Sequence, residues 1–305
     1  MIETRFVEAN GFRFAVDEAG TGDRLALCLH GFPESRFSWR WQLPLLTELG
    51  YRAWAPDLRG YGETEPKPAA VEAYRIEHLL DDVAALIDAS GAREVLLIGH
   101  DWGAALAWTF AANQVRALQR LVIMNVPHPV LLSRGLRASA RQRRRSWYMR
   151  FFQLPLAPEW LLTWRGAAGV RRAFHGMAVD KGRFPPEVLD RYAADARRPG
   201  AIRGMINWYR AATRTPGKLR GPWPKIEIPT LVVWGEEDAA LGVELLDGTE
   251  EFVTDLTVRR LPGVSHWVQQ EAPEAVNAIL TEWLARPASA SATPPASALP
   301  AGRNS

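Results

Sequence analysis

Short apolar runs alternate with longer amphipathic stretches through the first part of the chain. The runs at Arg24–His30, Arg52–Ala55, Val95–Ile98 and Leu121–Val126 predict strands that are buried on both faces. Between the second and third runs, Ile76–Ser90 has apolar side chains at every third or fourth position, which predicts a helix with one face packed on a sheet. Buried strands separated by helices indicate βαβ units, and therefore a mostly parallel sheet covered on both faces.

The pattern changes after the fourth predicted strand. Residues 128–221 contain helical stretches interrupted by proline and glycine, with few strand-like runs. Strands and a helix return at Thr230–Trp234, at Leu256–Leu261 and in the stretch that follows. We therefore predict an α/β core formed by residues 1–127 and 222–285, interrupted by a helical cap over residues 128–221.

The two ends of the chain add little to this core. Ala, Ser and Pro supply 14 of the 20 residues at 286–305, a composition that predicts a disordered tail. The N-terminus lacks a basic region followed by an apolar one, and no run of about 18 apolar residues occurs. We expect a cytoplasmic protein without an integral membrane segment. The single cysteine, Cys28, lies in an apolar run and is expected to be buried.

Charge is distributed unevenly between the predicted core and cap. The 305-residue chain has a formal net charge of +3, but residues 128–221 carry 18 Arg and 2 Lys against 5 acidic residues, or +15. The remainder carries −12. This asymmetry fits three explanations: a solvated basic helix face, electrostatic seating of the cap on the core, or attraction of anionic substrates or membrane surfaces. No recognition motif accompanies the charge, so nucleic acid is not an expected partner.

Candidate chemistry begins at the third predicted strand, which continues as VLLIGHDWGA from Val95 to Ala104. A strand, a tight turn between small residues and a helix form a nucleophile elbow, here with Asp101 at its tip. Gly99 and Gly103 would allow the tight turn. The alternative is that Asp101 caps the helix that follows.

Two further motifs favour a catalytic role for Asp101. HGFPE (30–34) follows a strand and places the backbone N–H of Phe32 where it could form an oxyanion hole with that of Trp102. WGEED (234–238) and LPGVSHW (261–267) each follow a later strand. Nucleophile, acid and histidine then occur in the chain order of α/β-hydrolases, which gives Asp101, Asp238 and His266. Two glutamates adjoin Asp238, but the G-x-x-D pattern favours the aspartate.

These motifs resemble those of the epoxide hydrolases within the α/β-hydrolase superfamily, over nearly the whole chain from about Phe6 to Leu284. The matching motifs are HGFPES (30–35), PDLRGYG (56–62), GHDWG (99–103), NVPHP (125–129), WYMRFFQLP (147–155), NWYR (207–210), WGEED (234–238) and SHWVQQE (265–271). The resemblance implies the α/β-hydrolase fold with a cap. It also implies that Tyr148 and Tyr209 donate hydrogen bonds to the oxygen of an epoxide.

The resemblance implies a two-step reaction on a small epoxide, with water as the second substrate. Asp101 would attack an epoxide carbon while the two tyrosines protonate the departing oxygen. His266, oriented by Asp238, would then activate a water that hydrolyses the ester and releases a vicinal diol. A carboxylate suits this chemistry because the ester it forms can be hydrolysed, whereas a serine would leave a stable ether. No metal or organic cofactor is expected.

Three other functions remain open from the sequence. Haloalkane dehalogenases share the Asp–His–acid machinery and Trp102, but often have Asn where this chain has Phe32. Haloacetate dehalogenases have a motif like GHDRG at the elbow, with an arginine for the substrate carboxylate. This chain has Trp102 at the position of that arginine. A non-catalytic α/β-hydrolase that serves as a ligand receptor would not need the complete set of catalytic positions.

Overall fold

Eight strands form one sheet in the part of the chain that this computed structural model describes, residues 1–215 and 223–287. Their order across the sheet is β1-β2-β4-β3-β5-β6-β7-β8. The pairs β1–β2 and β2–β4 are antiparallel, and the other neighbours are parallel. The strands are β1 (Glu3–Ala9), β2 (Phe12–Ala19), β3 (Arg24–Leu29), β4 (Arg52–Pro56), β5 (Glu94–His100), β6 (Arg120–Met124), β7 (Thr230–Gly235) and β8 (Leu256–Leu261).

Helices cover both faces of this sheet. Along β5, Val95 and Leu97 pack into one apolar cluster with helices α2 and α3, while Leu96 and Ile98 pack into a second cluster with α1 and α11. This alternation explains why the strand is apolar at each position from Val95 to Ile98. The core helices are α1 (Gln42–Glu48), α2 (Ile76–Ser90), α3 (Trp102–Ala112), α10 (Val268–Glu271) and α11 (Pro273–Leu284).

Most of the described chain between β6 and β7 is helical, and this helical segment lies over the C-terminal edge of the sheet. Its helices are α4 (Pro129–Ala138), α5 (Ala140–Arg145), α6 (Trp147–Phe151), α7 (Ala157–Met177), α8 (Pro186–Arg197) and α9 (Ala201–Arg214). The indole N–H of Trp208 on α9 donates to the Arg59 carbonyl oxygen at 3.0 Å, which attaches this segment to the core. Helix α7 is kinked at 164–167, where Arg165, Gly166 and Ala167 have positive φ.

The predicted parallel α/β architecture is confirmed, and α2 has the predicted bounds. Strands β1 and β2 were not predicted, since β1 is an edge strand in which Val7 alone is buried. Asn10 and Gly11 join them with positive φ at both positions, and this Asn-Gly pair was the available hairpin signal. Cys28 is buried as expected.

Two sequence predictions extend beyond the described residues. The boundary between cap and core at 221–222 lies outside them, as does the predicted tail 286–305 apart from its first two residues. Among the helices that are described, none has the length and hydropathy needed to cross a membrane.

Candidate active site

Asp101 occupies the turn between β5 and α3, with φ 48° and ψ −121°. Its carboxylate makes no hydrogen bond that caps α3, so the helix-capping interpretation is wrong. The positive φ falls on Asp101 itself, and the neighbouring glycines are needed for space. A Cβ on Gly103 would overlap the Leu29 and His30 carbonyl oxygens, while one on Gly31 would overlap the Asp101 side chain. The strained turn and the absent side chains expose the carboxylate at the sheet edge.

The two predicted oxyanion-hole residues lie on either side of Asp101. The backbone N–H of Phe32 donates to Asp101 Oδ1 at 2.7 Å. Trp102 is the first residue of α3, so its N–H belongs to the helical turn that has no intrahelical acceptor. The backbone N–H groups of Phe32 and Trp102 therefore lie in the two chain segments that flank the Asp101 carboxylate.

His266 lies between two carboxylates. Its Nε2 is 3.6 Å from Asp101 Oδ2, and its Nδ1 is 2.6 Å from Asp238 Oδ2. Asp238 Oδ1 accepts from the N–H groups of Ala240 and Leu241 at 2.7 and 2.9 Å. The structure thus brings together the three residues that the motif order singled out, although 165 positions separate Asp101 from His266 (266 − 101 = 165).

Asn125 is a supporting residue that the sequence prediction missed. Its amide Nδ2 donates to Asp238 Oδ2 at 2.9 Å, and its Oδ1 accepts from the Gly235 N–H at 2.9 Å. Both contacts orient the Asp238 side chain toward His266. Asn125 lies in the NVPHP motif with φ 49°, and nothing in that motif indicates a contact across more than a hundred residues.

A buried pair, Glu34 and His100, lies behind the catalytic residues. Glu34 Oε2 accepts from the Gly31 N–H at 2.8 Å and is 2.7 Å from His100 Nδ1. His100 Nε2 is 2.9 Å from the carbonyl oxygen of His266. The pair therefore joins the HGFPE loop to the loop that carries His266. His100 was the second supporting residue missed, although it precedes Asp101 in the chain.

Two tyrosines of the helical segment face the same cavity as Asp101 and His266. Tyr148 on α6 and Tyr209 on α9 line it, and their ring centroids are 5.9 Å apart at an interplanar angle of 84°. The cavity has a volume of about 380 Å³ and a mostly apolar wall that includes Phe32. It can hold a small organic molecule beside the carboxylate and the two tyrosines.

Burial and charge shift the pKa values of these groups. Burial alone would lower the pKa of His266, but the Asp238 charge and the approach of Asp101 outweigh it and raise this pKa to about 10. Burial opposes ionisation of Asp101, yet the adjacent His266 holds its pKa below the usual value. Burial, reinforced by the Asp101 charge, raises the pKa of both Tyr148 and Tyr209. At neutral pH the site thus holds a carboxylate at Asp101, an imidazolium at His266 and two protonated phenols.

The raised pKa of His266 predicts how stability depends on pH. Because this pKa is about 10 in the folded protein and 6.5 in a free side chain, the folded state holds the proton more tightly. The resulting stabilisation is complete below about pH 6.5 and is lost as pH rises through about 10. In Asp101→Asn one carboxylate is gone, so we expect a smaller fall in the free energy of unfolding between about pH 7 and pH 10. Urea unfolding of the wild type and of Asp101→Asn at several pH values measures this fall. An equal dependence of the unfolding free energy on pH in the two proteins would contradict the assignment of the raised His266 pKa to Asp101.

Known proteins resemble this chain in sequence and in structure. Residues 27–273 match the model of the alpha/beta hydrolase fold family. The chain is 34% identical over 284 residues to the AB hydrolase superfamily protein YfhM of Bacillus subtilis, covering 93% of this chain and 98% of that one. It is 36% identical over 287 residues to epoxide hydrolase 4 of Mus musculus, covering 91% and 78% of the two chains.

Solved structures resemble it over a similar length. The crystal structure of a Bacillus megaterium epoxide hydrolase with an inhibitor superposes with a TM-score of 0.85 at 31% identity, covering 92% of this chain and 100% of that one. Epoxide hydrolase A of Mycobacterium thermoresistibile gives a TM-score of 0.80 at 33% identity, covering 93% and 98%. Both similarities extend through the core and the helical segment.

Proposed function

This chain belongs to the epoxide hydrolase family of the α/β-hydrolase superfamily, and from that membership we propose that it hydrolyses an epoxide to a vicinal diol through a covalent ester on Asp101. One observation carries the mechanism. Asp101, His266, Tyr148 and Tyr209 line a single cavity, with the carboxylate on the core and the phenols on the helical segment. A ligand between them meets a nucleophile and two proton donors at once.

In the first step, Asp101 attacks an epoxide carbon and the C–O bond of the ring breaks. The departing oxygen is a poor leaving group unless it receives a proton as the bond breaks. Tyr148 and Tyr209 donate hydrogen bonds to it, and one of them supplies that proton. The raised pKa values of both phenols keep them protonated until the reaction begins.

The second step follows from the change in charge. Once Asp101 is an ester its negative charge is gone, so one of the two interactions that raise the pKa of His266 disappears. The imidazolium then releases its proton to solvent, and the tyrosinate left by the first step takes one back. The neutral imidazole, oriented by Asp238, takes a proton from water. The resulting hydroxide attacks the ester carbonyl, while the N–H groups of Phe32 and Trp102 stabilise the oxyanion. Cleavage of the ester releases the diol and restores the Asp101 carboxylate.

The tyrosine pair also favours an epoxide over a haloalkane or a haloacetate. A halide leaves as a stable anion and needs no proton, so a dehalogenase gains nothing from two buried phenols as proton donors. The wall around Asp101 presents Phe32 where haloalkane dehalogenases often have Asn. No arginine replaces Trp102 at the elbow to bind a substrate carboxylate.

The test measures product formation from a panel of epoxides, haloalkanes and haloacetates. We expect vicinal diols from the epoxides and no halide release. With water labelled in its oxygen, a single turnover should leave the label in Asp101, because water attacks the ester carbonyl and not the epoxide carbon. Halide release without diol formation would overturn the proposal.

The same assay measures the role of the tyrosines. Tyr148→Phe and Tyr209→Phe each remove one donor to the epoxide oxygen, so we expect each to lower kcat/KM by about 10- to 100-fold. The double variant should fall further. Tyr51→Phe, a buried tyrosine on the other face of the sheet, is the matched control and should retain full activity. Unchanged turnover in the double variant would exclude these phenols as proton donors.

A further inference from the structure

Large apolar side chains that face solvent are concentrated in one part of the helical segment. Within the described residues, six of the ten exposed large apolar side chains lie between positions 147 and 164, with exposed fractions from 41% to 78%. We call these six the apolar rim. Two of its tryptophans, Trp160 and Trp164, stack on each other at 5.6 Å and not on the protein core. The apolar rim consists of Trp147, Leu154, Leu156, Trp160, Leu161 and Trp164.

The apolar rim is continuous with the catalytic cavity. Trp147, Leu161 and Trp164 belong both to the rim and to the lining of the cavity that contains Asp101. The exposed apolar surface is therefore the outer end of the passage to the nucleophile. Monomeric proteins rarely expose contiguous apolar surface of this kind unless it binds a partner or a membrane.

Arginines are interspersed with the apolar rim along the chain. Residues 137–172 contain nine arginines and one acidic residue, Glu159, which is itself paired with Arg210. Eight of these arginines have no ion pair with any described residue, and we call the seven that are solvent-exposed the basic belt. The basic belt consists of Arg137, Arg141, Arg143, Arg144, Arg150, Arg165 and Arg172.

Seating of the cap on the acidic core accounts for a different set of arginines. Arg134 pairs with Glu251, Arg183 with Glu274, and Arg198 with Glu63, all across the boundary between the helical segment and the core. None of these three arginines belongs to the basic belt. A partner that pairs with the basic belt must carry negative charge. If the same partner covers the apolar rim, it must also accept tryptophan and leucine side chains.

We propose that the apolar rim and the basic belt dock the protein on an anionic phospholipid surface. Tryptophan prefers the boundary between headgroups and acyl chains, and arginine is attracted to acidic headgroups. Such docking places the mouth of the cavity against the bilayer, so that an apolar epoxide dissolved in lipid enters without crossing water. This last step rests on the proposed function, whereas binding to the lipid surface does not.

Vesicle sedimentation with the full chain tests the binding. Wild type should sediment with vesicles of mixed phosphatidylcholine and phosphatidylglycerol but not with phosphatidylcholine alone, and high salt should release it. Arg143→Gln/Arg144→Gln and Leu156→Ser/Trp160→Ser should each weaken binding by about tenfold or more. Trp41→Ser and Arg93→Gln alter an exposed tryptophan and an exposed arginine outside the patch, and should bind as wild type does.

The outcomes separate this proposal from the proposed function. The four altered rim and belt positions do not line the cavity, so turnover of a water-soluble epoxide without vesicles should be unchanged. Turnover of an epoxide dissolved in anionic vesicles should fall with the binding. Absence of sedimentation, or equal sedimentation with neutral vesicles, would overturn the docking proposal. If the protein does not bind vesicles but self-associates, and the same variants abolish that self-association, the rim would instead be a contact between two copies of the chain.

Discussion

Asp101→Asn is expected to lower kcat/KM for an epoxide by on the order of 10⁴-fold or more, the scale seen when a catalytic nucleophile is removed. The amide carries no negative charge and cannot form the ester, so the reaction loses its first step. The variant keeps the shape of the side chain, and its Oδ1 can still accept the N–H of Phe32. The loss of activity should therefore come from chemistry and not from an altered fold.

Two measurements make this result interpretable. Steady-state kinetics on the best epoxide of the panel gives kcat/KM, and circular dichroism with thermal unfolding shows whether the variant is folded. Asn113→Ala, a change at the far end of α3, is a control for alterations on the same helix and should remain active. Deamidation of the new asparagine would restore Asp101, so the preparation must be free of it. Turnover by such a preparation of Asp101→Asn within about tenfold of wild type would exclude Asp101 as the nucleophile.

His266→Gln should separate the two steps of the reaction. Asp101 remains available to attack, but the base that activates water is gone, so the ester should accumulate. We expect the intact protein to gain the mass of one epoxide, and steady-state turnover to fall by about 10⁴-fold or more. Intact-mass spectrometry after mixing with excess epoxide detects the adduct, and peptide mapping should locate it on Asp101.

The double variant Asp101→Asn/His266→Gln is the control for this trapping. It should form no adduct, because the nucleophile is absent. His78→Gln, at an exposed histidine of α2, should retain activity and accumulate no ester. An adduct of equal yield in the double variant, or on a residue other than Asp101, would contradict the two-step mechanism.

Features that depend on near neighbours in the chain were predictable. The amphipathic period over Ile76–Ser90 defines α2, and its cap residue Gly91 has φ 64°. The apolar runs define the parallel strands, because a strand buried on both faces has no polar side to present. The residue types at the strand ends, together with their order, were sufficient to single out Asp101, Asp238 and His266.

Features that depend on packing between distant segments were not predictable. The Gly31 loop packs against the Asp101 side chain from a distant part of the chain, and Asn125 reaches Asp238 across 113 positions. The pKa of His266 depends on two carboxylates that the fold brings to its two ring nitrogens.

The sequence by itself determined the architecture and singled out Asp101, Asp238 and His266 as candidate catalytic residues, since hydrophobic period and motif order are properties of the chain. The tertiary structure alone decided the 3.6 Å approach of His266 to Asp101, the single cavity shared with both tyrosines, and the side of the molecule on which the exposed tryptophans lie. The physical reason is that charge interactions, cavities and exposure depend on distances in space, and these distances exist only after the helical segment has packed onto the sheet.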